Sequence, residues 1–587
     1  MAEGFLQRYA DELGNLRRRA ARFASAHPKI AGRLRISGEQ IDDPHVERMV
    51  QSFAFASARV RQKLDDEFPE LTGSMLETLY PHYLAPVPSM MMVRLSPVAG
   101  LETVQHIARH TEIVAEPIED ERCRFRLSQG VDLAPLRVER AALGGQPIEA
   151  PLAPQWSAAA CLSLRLSPLA PVPSIAALGI DRLRFYLDAP FREATALHEL
   201  LANHALGVAL ARHAGDRDPV FLPASSIRAG GFEPDEGMLP YPASSFAGYR
   251  LLSEFFALPQ KFLFLELSGL RRWTGETLEI FIYLDRSEPV LERAVSAETF
   301  ALNAAPAVNL FRQRAEPIVV DGRRSEYALV PDARRHLTRE VYGVESVTLT
   351  DRAGNRTVAP RFFEGGSADV PAWQVRRQFD PLDGTSDVAI AFAGGGETGD
   401  ELVAGIDTLC LNRDLPKRLP FGGGHPHLDL ADPSASVGRV EALGAPTPAL
   451  RFDGNEDRRW RLLSHLNLNH LSLADGDGTA MKEMLRLYVR PERREANLLI
   501  DAICGVSSRP AMSRIGGGGM VPGTEVTLTF EPGLIDRGAA YLFASVIDRF
   551  LGLYATINSF TRMTAVMRGQ SEPVAAFPAR LSERPLL

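Results

Sequence analysis

Apolar residues near the start of the chain recur at spacings of three and four. Phe5, Tyr9, Leu13, Leu16, Ala20 and Phe23 form one stripe, which predicts a long amphipathic helix ending near Pro28. Arg17, Arg18 and Arg22 fall largely off that stripe. Asp43-Pro44 then supplies an N-cap followed by proline at the first helical position, where the missing N–H costs nothing. Val46, Met49, Val50, Phe53, Val60 and Leu64 make a second stripe. Pro69 is expected to open a third helix through Leu71, Met75, Leu76, Leu79, Tyr80 and Tyr83, closed by Pro86-Val87-Pro88. Wide apolar faces on such helices predict a bundle, formed internally or with a partner.

From about Ser89 the period shifts to two. Met91 to Leu95, Cys123 to Leu127, Leu162 to Leu166 and Arg182 to Leu187 alternate as half-buried antiparallel strands do. A helix carrying Leu197, Leu200, Leu201, Leu206 and Leu210 interrupts them before Gly215, and strands resume at Lys261 to Leu267 and Leu278 to Leu284. The turn-rich stretch from Val319 to Gly424 reads as a further strand-rich module. Towards the end, a helix is expected through Met481, Met484, Leu485 and Tyr488. A second follows through Phe543, Val546, Ile547, Phe550, Leu551, Tyr554 and Ile557, and then a strand from Phe560 to Val566. The expected class is α+β and multidomain. It has an N-terminal helical bundle (1–88), strand-rich antiparallel middle domains (89–320, with an inserted helix and a docking loop, and 321–430) and a mixed α/β C-terminal domain (431–587).

Length and composition agree with that organisation. At 587 residues the chain exceeds what one core usually organises. A net charge of -8 with scattered arginines gives no basic stripe for nucleic acid. No run approaches the roughly 20 apolar residues of a membrane span, and Met1-Ala2-Glu3-Gly4-Phe5 does not open a secretory signal. Cys123, Cys161, Cys410 and Cys504 form no CxxC pair and suit a reducing compartment as small buried hydrophobes. A soluble, cytoplasmic protein is expected.

Candidate chemistry is weak. His465 and His470 are five apart, which places them on opposite faces of a strand or about 140° apart on a helix. Neither geometry converges on a metal as an HExxH helix does. Gly424-His425-Pro426-His427 reads as loop rather than ligand set. Gly516 to Gly519 leads into Met520-Val521-Pro522, without the Lys-Ser/Thr of a phosphate loop. There is no GxSxG elbow. No catalytic residue, cofactor or metal is therefore assigned; the alternative is a metal-dependent hydrolase using His465 and His470. The segment Gly231 to Leu252 stands apart, mixing glycines, prolines, acids and aromatics. It suits either docking on another surface or packing over its own sheet.

That segment also carries a family resemblance. Glu233-Pro234-Asp235-Glu236-Gly237, Leu239-Pro240-Tyr241, Gly248-Tyr249-Arg250-Leu251-Leu252 and Pro259-Gln260-Lys261-Phe262-Leu263-Phe264 resemble the central signature of the TssF (VasA/ImpG) family. Similar matches run from His27-Pro28-Lys29-Ile30 and Asp43-Pro44-His45-Val46-Glu47-Arg48 to Cys410-Leu411-Asn412-Arg413-Asp414-Leu415-Pro416, Trp460 to Leu473 and Phe550 to Phe560. The resemblance implies a non-enzymatic wedge subunit of a type VI secretion baseplate. In that role it would assemble with a TssG-like protein, a second TssF copy, and TssE-, TssK- and VgrG-like proteins. It implies a cytoplasmic location, docked at the inner-membrane complex through other subunits, with no direct membrane insertion. The candidate interface comprises Phe5, Leu13, Leu16, Phe23, Val46, Phe53 and Val60 on the helices, and Phe232, Tyr241 and Tyr249 in the docking loop.

Overall fold

The structure, a computed structural model, describes residues 2–37, 40–41, 43–242, 245–362, 364, 370–380, 385–394, 402–451, 462, 477–489, 493–514, 520–554 and 559–581. The described chain falls into two compact units, one containing residues 2–78 and the other most of the chain from residue 79 onward.

The first unit is helical. A helix over Ala2–Ala26 is followed by a short one over Pro28–Arg33, a minimal antiparallel pair (Ile36–Ser37 with Gln40–Ile41) and a long helix over Pro44–Leu79. Asp43 caps the long helix: its carboxylate accepts the His45 N–H at 2.8 Å, and that bond holds its pKa below the usual value. Tyr9 meets Phe55 edge-on, and Arg17 pairs with Glu47, tying the two helices together. Pro69 does not open a third helix, because helix runs unbroken through it to Leu79. A proline deletes one N–H bond of the ladder, and helical turns on both sides can carry the element past it.

The second unit begins at a closed six-stranded barrel, ordered Ala304–Val308, Met90–Pro97, Val437–Ala442, Leu428–Leu430, Glu112–Ile118 and Glu121–Leu127. The period-two positions Met91, Val93, Leu95, Cys123, Phe125, Leu127, Ala305 and Ala307 share its core. Closure satisfies every strand edge, so the barrel needs strands from both ends of the middle region. The expected boundary at residue 430 therefore falls inside the barrel.

Beside it lies a five-stranded antiparallel sheet, Val220–Pro223, Ala205–Ala211, Leu278–Leu284, Ala160–Pro168 and Leu136–Gly145. A four-stranded one follows, Ile227–Gly230, Phe264–Ser268, Arg182–Leu187 and Phe300–Ala301. A further antiparallel module over 311–411 has its own core around Val347, Ile390 and Ile406. The C-terminal part contains the parallel pair Met520–Phe530 and Phe560–Met567, joined by the helix Arg537–Tyr554. This α+β architecture is the expected class.

Two further expectations are corrected. The helix Phe191–Asn203 stops before Leu206, and Leu206 and Leu210 lie on the strand Ala205–Ala211, where central pairing with Leu278–Leu284 overrides the leucine spacing. The strand expected from Lys261 starts at Phe264, because Pro259–Phe262 forms a 3-10 turn that buries the Lys261 side chain. His465 and His470, with most of Trp460 to Leu473, lie outside the described residues. No helix among the described residues is long and apolar enough to cross a membrane.

Candidate partner-binding surface

On the N-terminal helices several large apolar side chains point outward, although Leu76 is fully buried. Ala54 and Ala58, one turn apart on Pro44–Leu79, are fully buried. Met49 and Phe53, also one turn apart, are 73% and 64% exposed. At about 100° per residue, that second pair lies on the far side of the helix from the alanines. Phe23, Ile30 and Leu34 add exposed apolar surface within the same unit. Of the remaining helical candidates, Leu13, Leu16 and Val46 are half-buried. Phe5 and Val60 lie on the two helices, with side chains outside the described set. Exposed Met49 and Phe53 opposite buried alanines leave an apolar patch facing water on this unit.

The docking-loop candidates behave differently. Phe232 and Tyr249 are only 6% and 2% exposed, so they do not form an exposed contact surface. Phe232 packs on Phe262 with ring centroids 4.9 Å apart, and the Arg549 guanidinium lies over its ring at 3.5 Å. Tyr249 stacks on Tyr488 at 5.4 Å and touches Phe550 at 5.7 Å. Tyr241 keeps some exposed surface, but its ring lies 3.7 Å from that of His82, and burial pushes its hydroxyl pKa well up. Both His82 ring nitrogens are buried, and burial lowers the His82 pKa to about 3.

Two glutamates hold this loop. Glu236 ends the 3-10 turn Pro234–Glu236, and its carboxylate accepts the Gly231 N–H at 2.8 Å, the Glu233 N–H at 2.9 Å and the Arg184 guanidinium. Glu254, fully buried on the helix Ala247–Ala257, accepts the Met238 and Leu239 N–H groups at 2.8 and 2.9 Å and pairs with the equally buried Lys261 ammonium. Burial lowers the Lys261 pKa, and the Glu254 charge opposes that shift. Gly231 is needed because its φ is +94° and a Cβ there would meet the Lys261 carbonyl oxygen at 2.4 Å. The signature residues of this segment are thus internal fasteners. Glu254 and Lys261 were missed as a pair, although charges embedded in Leu251-Leu252-Ser253-Glu254-Phe255-Phe256 and Lys261-Phe262-Leu263-Phe264 are a readable sign of buried partners.

The buried cysteines are not poised as nucleophiles. Burial pushes the Cys123 and Cys161 thiols up to about 12 and Cys410 to about 11, far from a reactive thiolate. An open groove is lined by Arg312, Arg314, Glu345, Ser346 and Asp407; Arg312 pairs with Glu345 at 2.9 Å and the Ser346 hydroxyl donates to Asp407 at 2.9 Å.

Comparison with known proteins decides the family. The sequence model for "Type VI secretion system, TssF" matches residues 1–584. The chain belongs to the TssF family. It is 35% identical over 618 aligned residues to the type VI secretion system component TssF1 of Pseudomonas aeruginosa, covering 99% of each. Its fold is similar to a chain of the cryo-electron-microscopy TssK–TssF–TssG baseplate subcomplex. That match has a TM-score of 0.75 and 24% identity over 92% of this chain and 99% of the other. It is also similar to a chain of the type VI secretion baseplate complex, with a TM-score of 0.61 and 22% identity over 99% and 100% of the two chains.

Proposed function

We propose that this chain is a structural wedge subunit of a type VI secretion baseplate. It would assemble with TssG- and TssK-like subunits, with a second TssF copy, and with TssE-like and VgrG-like proteins, to support sheath and tube assembly around the spike. The observation that carries this is the family match over nearly the whole chain, together with fold similarity to a chain of the TssK–TssF–TssG subcomplex. In this reading the protein works in the cytoplasm, reaches the inner-membrane complex only through other subunits, and performs no catalysis.

The exposed apolar face of the N-terminal helices is the contact this role needs. Burying one Phe side chain contributes about 1.5–3 kcal/mol, so exposed side chains such as Met49 and Phe53, one turn apart, could anchor a partner helix. Charge at Phe53 would oppose that burial, whereas changes on the polar side of the helix would not.

Co-expression of the full chain with the TssG-like subunit of the same source tests the proposal. The two should elute together, with Phe53→Asp reducing recovery of the partner and an Arg22→Glu change, off the apolar stripe, leaving it intact. Failure of the unaltered chain to elute with that subunit, in the presence and absence of the TssK-like protein, would overturn the baseplate reading. Full recovery with Phe53→Asp would overturn only the helical contact.

A further inference from the structure

On the barrel, in residues that take no part in fastening the loop, two histidines and a carboxylate converge. Glu116 lies on the strand Glu112–Ile118, where the register with Glu121–Leu127 shifts between Val114 and Pro117. Such an irregularity re-aims a side chain out of the regular alternation. The histidines arrive from a segment 309 residues further along. Gly422, Gly423 and Gly424 all have positive φ, and Gly422 and His425 exchange backbone hydrogen bonds at 3.2 and 3.1 Å, closing a turn just before the pair. The Glu116 N–H donates to the His427 carbonyl at 2.9 Å, which seats the segment against the strand. His425 Nδ1 lies 2.8 and 3.0 Å from the two Glu116 carboxylate oxygens. The imidazole centroids are 4.4 Å apart. One donor atom from each of the three residues lies within 4.8 Å of the other two.

We propose that Glu116, His425 and His427 form a binding site for a zinc-class divalent transition-metal ion. Two imidazole nitrogens and one carboxylate are the donor set that zinc takes where three protein ligands leave a fourth position open. Hard cations such as magnesium and calcium prefer all-oxygen shells, which two imidazoles do not supply. At metal–ligand bonds of about 2.0–2.2 Å, tetrahedral donors sit roughly 3.3 Å apart. The close His425–Glu116 contact therefore has to open by about half an ångström, and donor separations that reach towards 4.8 Å have to close by as much as about 1.5 Å, side-chain adjustments at a site that reaches the surface. A plain hydrogen bond between Glu116 and His425 gives the second imidazole nothing to do. The metal site uses both rings. The fourth position faces outward and would hold water or a donor from a neighbouring protein.

The inference stands apart from the baseplate reading and is tested on the full chain without a histidine tag, after stripping with a chelator. Zinc is titrated by calorimetry, and cobalt is titrated with its visible d–d absorption followed. The unaltered chain should bind an equivalent of zinc that is weakened at least tenfold by His427→Ala and by Glu116→Gln, and cobalt should give the intense spectrum of a tetrahedral nitrogen/oxygen site. His427 is exposed, so its loss should leave the circular dichroism unchanged. His213→Ala, at an exposed histidine elsewhere, should retain the binding. Equal zinc stoichiometry and affinity in the unaltered chain and in His427→Ala would overturn the site. So would an unaltered chain that takes up no zinc.

Discussion

Removing the Lys261 ammonium isolates one fastener of the buried loop. In Lys261→Met the fully buried Glu254 carboxylate loses its closest ion-pair partner but keeps the Arg250 guanidinium at 3.8 Å and the Met238 and Leu239 N–H donors at 2.8 and 2.9 Å. Breaking a buried pair by deleting one partner typically costs about 3–5 kcal/mol. The two retained backbone bonds argue for the lower end, about 3 kcal/mol, which corresponds to roughly a hundredfold change in a local opening equilibrium. A global melting temperature is the wrong readout, because a chain with several cores does not unfold in one step. Hydrogen exchange measured by mass spectrometry over residues 236–242 reads the opening directly. Lys261→Met should speed exchange there about a hundredfold and leave the barrel strands unchanged. In Glu254→Gln/Lys261→Met the two paired charges are removed together, the glutamine carbonyl can still accept both N–H groups, and the buried Arg250 keeps its bond to the Pro234 carbonyl at 3.1 Å, so protection should return to within about 1 kcal/mol of the unaltered chain. Exchange within threefold of the unaltered chain in Lys261→Met, or a double variant no better than the single one, would refute the ion pair as what holds the loop.

Phe53→Asp should weaken partner capture at least tenfold, yet hardly change the hydrogen exchange of the free chain, because the ring is 64% exposed. Quantitative pull-down beside exchange data checks both halves. Gly538→Ala drives a Cβ to 2.5 Å from the Ala196 backbone nitrogen, where the helices Arg537–Tyr554 and Phe191–Asn203 meet. Overpacking of this kind costs about 1–3 kcal/mol, and exchange along both helices should rise while that of 311–411 does not. Burial holds the His82 pKa at about 3 and that of His198 at about 4. Their folded values lie below the unfolded one near 6.5, so their contribution is complete above that pH and is lost as pH falls. At pH 5 each should cost about 2 kcal/mol. Hydrogen exchange around residue 82, corrected for its intrinsic pH dependence, should lose protection between pH 7 and pH 5 in the unaltered chain and much less in His82→Phe, and an unchanged acid loss would contradict the buried neutral ring.

Much of this protein could be read along the chain because the relevant forces are local. The apolar stripe from Tyr9 to Phe23, the Asp43-Pro44 cap and the alternation through Met91, Val93 and Leu95 each depend on neighbours within a turn or a pleat. They reappear in the structure as written. The family, too, was legible, since its signature residues stand close together from Gly231 to Phe264.

Tertiary structure decided what those residues are for. Periodicity marks a face as apolar without saying which apolar face is covered. Only the packed helices put Ala54 and Ala58 inside and Met49 and Phe53 outside. The aromatic loop, suited by composition to docking, turned inward because Glu236 and Glu254 satisfy its backbone N–H groups and Phe262, Tyr488 and Phe550 cover its rings. The barrel likewise closes only when Leu428–Leu430 and Val437–Ala442 return between strands more than 300 residues earlier in the chain. That same closure carries His425 and His427 to Glu116. Local sequence sets which backbone conformations are favourable, but burial and charge pairing depend on what arrives from elsewhere, and that is fixed only when the sheets close.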